Sequence, residues 1–149
     1  MTDLPTPRAP APDLAAMSLT FHHLGIACES LEAESPVWES FGYRDESPDF
    51  VDPAQGIRGR FMVGGGPRIE LLQALDGSDT LAPWIRRRVK FYHVGYLAPS
   101  LSGALDDLQS QGGHIARAPV MSVYFRAPIA FVMMPNMALV EIIEHRPWP

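Results

Sequence analysis

The segment "FHHLGIACESL" at residues 21–31 returns as "FYHVGYLAPSL" at residues 91–101, and a chain that writes one stretch twice is constrained to build one unit twice. Adding 70 to each position aligns Phe21 with Phe91, His23 with His93, Gly25 with Gly95, Ser30 with Ser100 and Leu31 with Leu101. The same offset reaches Ser40 with Ser110 and Gly42 with Gly112. Further along, "FMVGGGPRIELL" (61–72) parallels "FVMMPNMALVEII" (131–143) with one extra residue in the second copy, so Phe61 matches Phe131 and Glu70 matches Glu141. Short likenesses arise by chance between apolar strands. Seven identities at a single offset, followed in order by a second matched pair of segments, indicate an internal duplication.

Each copy reads as the same string of elements. Residues 21–28 and 91–97 are apolar and alternating, which predicts strands, and each is followed by a run with apolar residues at helical spacing that stops at glycine: Gly42 in the first copy, Gly112 and Gly113 in the second. Three extended runs then follow, at 43–48, 57–63 and 67–73, with counterparts at 114–117, 128–134 and 138–144. The glycines at 64–66 lack the flanking Lys and Ser/Thr of a nucleotide loop and read as a hairpin turn. Between the copies, "SDTLAPWIRRR" predicts a short helix capped by Ser78 or Asp79, with Pro83 near its start. The expected architecture is α+β: two tandem βαβββ modules, about 19–76 and 89–146, in one domain spanning 19–146. Residues 1–18, with four prolines and almost no aromatic or β-branched residues, read as a flexible tail.

Composition removes several function classes. A net charge of -5 gives no general attraction to nucleic acid or an anionic membrane. The single Cys28 cannot close an internal disulfide, no apolar stretch is long enough to span a membrane, and no signal-peptide pattern opens the sequence, all of which point to the cytoplasm. Cys28 reads as a small core residue at a strand end, with no surrounding cations to stabilise a thiolate.

The chemistry sits in four matched polar residues. Alternation puts His23 on one face with the small residues Gly25 and Ala27, with His22 and Leu24 on the other; His93 shares its face with Gly95. Glu70 in "RIELL" and Glu141 in "LVEII" each interrupt an apolar run, where a carboxylate is costly to bury unless paired or bound to a cation. A lone strand His or Glu is more often a surface or satisfied core residue than a ligand. Two of each type at equivalent positions of a duplicated chain are a different matter: a pseudo-two-fold axis would bring them together as an N2O2 set suited to Co, Ni, Mn or Zn. His22, whose counterpart is Tyr92, and the unmatched His114 and His145 read as structural. Arg68, two residues before Glu70, reads equally as its partner or as an ordinary surface arginine. The run Arg86–Arg88 with Lys90 could grip a phosphate, although a charged helix face is usually just solvated. Tyr124, Phe125, Met133 and Met134 are candidates to line an apolar substrate pocket.

With "HHLGIA", "RIELL", "YHVGY" and "LVEII" in a tandem βαβββ frame, residues 20–145 resemble the vicinal oxygen chelate superfamily, which includes glyoxalase I, methylmalonyl-CoA epimerase, extradiol dioxygenases and antibiotic-resistance proteins. The nearest likeness is to methylmalonyl-CoA epimerase, through "HHLGIA", "QGIRGRFMVGGGPRIELLQALDGSDTLAPWI" and the terminal "VEII". The resemblance implies a curved-sheet cup around a metal held at His23, Glu70, His93 and Glu141. It further implies proton abstraction next to a carbonyl or thioester, a small carbonyl or acyl-thioester substrate, and a homodimer. The alternatives it carries are a lactoylglutathione lyase-like glyoxalase, a thiol transferase acting on an antibiotic, or a non-catalytic antibiotic-binding protein. The last generally lacks the quartet, and a dioxygenase iron would leave Glu70 unexplained. The chain departs from the epimerase pattern four residues after Gln55, where some epimerases carry a Glu base and this chain has Gly59. Glu70 and Glu141 are then the groups left both to bind metal and to shuttle protons, as in glyoxalase I.

Overall fold

The computed structural model describes residues 18–146; the expected tail, apart from Ser18, lies outside them. In chain order the elements are β1 (Thr20–Cys28), α1 (Leu31–Glu39), β2 (Arg44–Asp45), β3 (Phe50–Asp52), β4 (Ile57–Val63), β5 (Ile69–Ala74), α2 (Ala82–Arg87), β6 (Phe91–Ala98), α3 (Leu101–Ser110), β7 (His114–Met121), β8 (Pro128–Met133) and β9 (Leu139–Glu144). The nine strands of the described residues form one curved sheet in the order β2-β4-β5-β1-β6-β9-β8-β7, with β3 added on β4. The α+β class and the repeated order are as expected. Two details differ. The first edge is broken into two short strands, β2 and β3, the latter bracketed by Pro48 and Pro53, at the positions where 70 residues on β7 runs unbroken to Met121, a length that its largely exposed residues give no burial pattern to predict.

Most of the repeated residues have a repeated structural job. Ser30 and Ser100 cap α1 and α3 by accepting from the backbone N–H three residues on, Ala33 and Gly103, an interaction worth about 1 kcal/mol each. Leu31 and Leu101, at the first helical position, are buried against the sheet. Their backbone N–H groups donate to the side chains of Gln73 and Glu144 at the ends of β5 and β9. Ser40 and Ser110 return a hydroxyl hydrogen bond to the carbonyl three residues back, and Gly42 and Gly112 leave each helix with φ of 95° and 91°, the left-handed region where glycine alone is unstrained. The linking helix α2 has Pro83 in its first turn as predicted, but not the predicted cap. Leu81 holds that position without a side-chain bond, because the Ser78 hydroxyl is spent one turn earlier, accepting from Thr80 N–H.

The two copies meet at the antiparallel β1/β6 seam, flanked in each copy by a parallel partner, β5 beside β1 and β9 beside β6. One layer of core lies between the sheet and α3 (Leu101, Ala104, Leu105, Leu108, Val132, Ile142), and another lies with α1 (Ile26, Leu31, Met62, Leu71). The face of the seam that the helices leave free carries the quartet. Cys28 is a core residue as expected: its thiol donates to Leu72 O, and burial pushes its pKa up to about 12.

Candidate metal centre

Strand register explains how four residues up to 118 positions apart converge. Across the sheet, Glu70 on β5 sits beside Gly25 on β1, which faces His93 on β6; one level along, His23 on β1 faces Gly95 on β6, which sits beside Glu141 on β9. Each row reads carboxylate, glycine, imidazole, in opposite directions. The glycines make the geometry possible. A methyl group built on Gly25 would lie 2.3 Å from the His93 ring, and one on Gly95 would lie 2.2 Å from the His23 ring. The repeated His-x-Gly is therefore a reciprocal arrangement in which each module's glycine provides floor space for the other module's histidine.

The four side chains are buried, with residue exposures of 0% for His23, 5% for Glu70, 6% for His93 and 3% for Glu141. Their donor atoms all lie within 4.8 Å of one another. His23 Nε2 is 2.8 Å from His93 Nε2, 2.9 Å from Glu70 Oε2 and 3.1 Å from Glu141 Oε2. His93 Nε2 is 3.3 Å and 3.0 Å from the same two carboxylate oxygens. Donors held about 2.1 Å from a small divalent ion stand about 3.0 Å apart at right angles and about 3.4 Å apart in a tetrahedron. The observed spacings are those of such a shell. Glu141 Oε2 adds a second sign: it is buried and near both imidazoles yet aligned for a hydrogen bond with neither. The residues present fit a first-row divalent ion.

Without such an ion, protons serve as the counter-charge. Burial alone would lower the pKa of His23, but the Glu70 and Glu141 carboxylates override it and raise it to about 9. His93 is raised for the same reason, against the same burial. Burial would raise Glu141, yet the close approach of the His23 and His93 rings and their charge bring it down to about 2, and Glu70 is lowered likewise. A divalent ion and these protons compete for the same lone pairs.

His22 departs from the expectation that it points away. The β1/β6 register skips it between Phe21 and His23, a β-bulge that defeats simple alternation. Its ring turns in beside the quartet, with Nδ1 2.8 Å from His23 Nδ1 and its edges against Phe61 and Phe125. Half-buried and next to His23 and Arg68, it is pulled down to about 4 and is neutral. The only sequence signal was the doubled "HH", which alternation assigned to opposite faces. Arg68 does not pair with Glu70. It precedes β5 and reaches across instead to Glu46 Oε2 at 2.7 Å and to the His22 carbonyl at 3.2 Å.

An aromatic wall closes over the site. Phe125, on the turn between β7 and β8, stacks on His23 at 6.1 Å, and Tyr124 packs on Phe61 at 4.4 Å and Phe50 at 4.8 Å. Buried Asp52 anchors this turn by accepting from Val123 N–H and Gln55 Nε2. Of the four expected pocket residues, Tyr124 and Phe125 stand here. Met133 packs into the core with Ile129 and Phe131, and Met134 lies on the α3 side, lining a groove with Leu19, Val94 and Tyr96. The space that a side chain at Gly59 would need is filled: a methyl there would be 2.2 Å from the Phe50 ring. Of the basic run, Arg86, Arg87 and Arg88 are exposed, and Lys90 pairs with Glu34 at 2.7 Å.

The family model described as the glyoxalase/bleomycin resistance protein/dioxygenase superfamily matches residues 22–131. The chain belongs to this superfamily. Solved structures agree on the fold. A hypothetical protein from Bacillus halodurans shares 24% identity at a TM-score of 0.73, covering 89% of this chain and 98% of its own. Methylmalonyl-CoA epimerase from Mycobacterium tuberculosis shares 23% at 0.70, covering 85% and 88%. The Streptomyces coelicolor methylmalonyl-CoA epimerase, solved with 2-nitronate-propionyl-CoA, shares 19% at 0.69, covering 85% and 97%. No curated protein sequence matches the chain. Among the described residues, no helix is long and apolar enough to cross a membrane.

Proposed function

We propose that the protein is a divalent-metal-dependent isomerase or epimerase that removes a proton from a carbon next to a carbonyl or thioester, with His23, Glu70, His93 and Glu141 holding the ion. The observation that carries this reading is the buried N2O2 cluster with its ligand-like spacings, in a superfamily fold whose solved neighbours include methylmalonyl-CoA epimerases. A divalent ion bound there supplies a Lewis acid that stabilises the negative charge left when the proton departs. The protein supplies the rest. His23 and His93 cross the seam and hold the centre. Glu70 and Glu141 approach from the outer strands on opposite sides of it, so one carboxylate takes the proton and the other returns it for inversion, or a single carboxylate moves it between neighbouring carbons. Phe61, Tyr124 and Phe125 keep water from the acidic carbon. The reading carries with it an acyl-thioester or small carbonyl substrate, one domain of two modules over 19–146, a homodimer, and action in the cytoplasm.

One observation favours a second reading, a lactoylglutathione lyase-like glyoxalase. The place of the epimerase base is not merely missing its side chain at Gly59 but filled by Phe50, and a quartet with two glutamates contains its own bases. A single experiment separates the two. The Co(II)-loaded protein is incubated with methylmalonyl-CoA in deuterated water, and deuterium is followed at the α-carbon. Metal-dependent exchange supports the epimerase reading. No exchange, with turnover of the methylglyoxal–glutathione hemithioacetal, supports the glyoxalase.

A further inference from the structure

We infer that His22 is a positioning residue for the metal centre, accepting a hydrogen bond from His23 Nδ1–H so that the His23 Nε2 lone pair is fixed on the ion. This rests on the reading of the quartet as a metal site. The argument begins from tautomers. A neutral imidazole carries one proton, and ligation through Nε2 requires it on Nδ1, where it needs an acceptor. The acceptor at His23 is His22 Nδ1, 2.8 Å away. Ligating histidines generally hand their second N–H to a carboxylate, carbonyl or water; here the chain supplies the neighbouring imidazole instead.

The backbone is shaped to deliver it. His22 is the extra residue of the bulge in β1, and Arg68 braces that bulge by donating to the His22 carbonyl while gripping Glu46. Phe61 and Phe125 meet the His22 ring edge-on at 5.8 and 5.2 Å, which fixes its plane. The second copy shows that this is not a by-product of the fold. It has the same bulge at the equivalent place, where the register skips Tyr92, but Tyr92 packs against the His93 ring without a hydrogen bond, and His93 Nδ1 has no hydrogen-bond partner among the described residues. The pseudo-symmetric site is therefore supported asymmetrically, with His23 the rigidly oriented ligand.

The test uses the full chain, Co(II) as the probe, and two substitutions. His22→Phe keeps a ring without an acceptor, and His22→Asn places a carbonyl oxygen near the position of Nδ1. His22→Phe should weaken Co(II) binding roughly 10–100-fold and shift the ligand-field absorption bands. His22→Asn should recover most of both, while the melting temperatures of the two metal-free variants stay alike. Nitrogen-15 spectra of the unsubstituted Zn(II)-loaded protein should show the His23 proton on Nδ1 and slow to exchange, a readout that stands even if His22→Phe does not fold. Unchanged Co(II) affinity in His22→Phe, no recovery in His22→Asn, or a His23 proton on Nε2 would each overturn the inference. If the unsubstituted protein bound no Co(II), the metal reading would fall and this inference with it.

Discussion

Gly95→Ala tests the interlocked geometry of the site with a single methyl group. The substitution adds no charge and needs no unusual backbone, since Gly95 is not at positive φ. The new Cβ would stand 2.2 Å from His23 Cε1, 2.6 Å from Nδ1 and 2.8 Å from Nε2. Carbon atoms rest at about 3.5–4.0 Å, so the ring must retreat by more than about 1 Å or the seam must open. The surroundings leave no free direction, because His23 is fully buried and Phe61 and Phe125 lie against it. Overpacking of this kind costs about 1–3 kcal/mol, or roughly 3–10 °C in a domain of this size. The effect on metal is larger, since a displacement of about 1 Å is half of a typical 2.1 Å ligand bond. Co(II) titration should show affinity reduced at least about tenfold, by analogy with loss of a ligand's supporting contact. Gly103→Ala on α3, distant from the seam, serves as the control. The decisive comparison is the double variant: in a His23→Ala background, Gly95→Ala should cost almost nothing, because the ring it strikes is gone. If Gly95→Ala melted with the unsubstituted protein and bound Co(II) equally well, the reciprocal fit of glycine and histidine would not hold the site.

Three further outcomes are expected. The metal-free protein should be most stable between about pH 4.5 and 6.5: His23, raised to about 9, contributes stability present below 6.5 and lost as pH rises through 9, whereas Glu141, lowered to about 2, contributes stability present above 4.5 and lost as pH falls through 2. Thermal melts with and without Zn(II) check this, because the ion replaces the protons and should remove the alkaline decline. Gly59→Glu alone should destabilise through collision with Phe50, whereas Gly59→Glu with Phe50→Ala should fold and, on the epimerase reading, gain deuterium exchange into methylmalonyl-CoA. Asp52→Ala should strand the Val123 and Gln55 donors and cost about 1–3 kcal/mol by denaturant melt, loosening the turn that carries Phe125.

The duplication made the site legible because a repeat converts two weak signals into one geometric statement. His23 alone in a strand says little; His23 with His93, each followed two residues later by glycine, says that two faces meet. The same logic located Glu70 and Glu141 from an alignment with one residue inserted, and register places both beside those glycines. What stayed hidden were features that neither the repeat nor the period-two pattern marks. Alternation placed His22 on the far face, but a single bulge residue reverses a strand's facing, and bulges leave no mark in a period-two pattern. The same alternation made Arg68 a candidate partner of Glu70, although it stands before β5 begins and is free to reach β1. Phe50 filling the space at Gly59 joins residues on two strands, and β3 was too short to be seen.

These three failures share a location. All belong to the first copy: Arg68 holds the His22 carbonyl at the β1 bulge, and Phe50 packs on Phe61, which packs on His23. The second copy has Tyr92 where the first has His22, and Val120 and Ile129 where the first has Phe50 and Gly59. The repeat therefore accounts for the convergence of the quartet, and the departures from it account for how His23 is supported. Asymmetry between the two halves of the cup is what discrimination between the two faces of a bound substrate requires, since a symmetric cup would treat both faces alike. On that argument, exchanging the copies' differing residues, with Tyr92→His as the first step, should even out the support of the two histidines and reduce stereochemical preference before it reduces metal affinity.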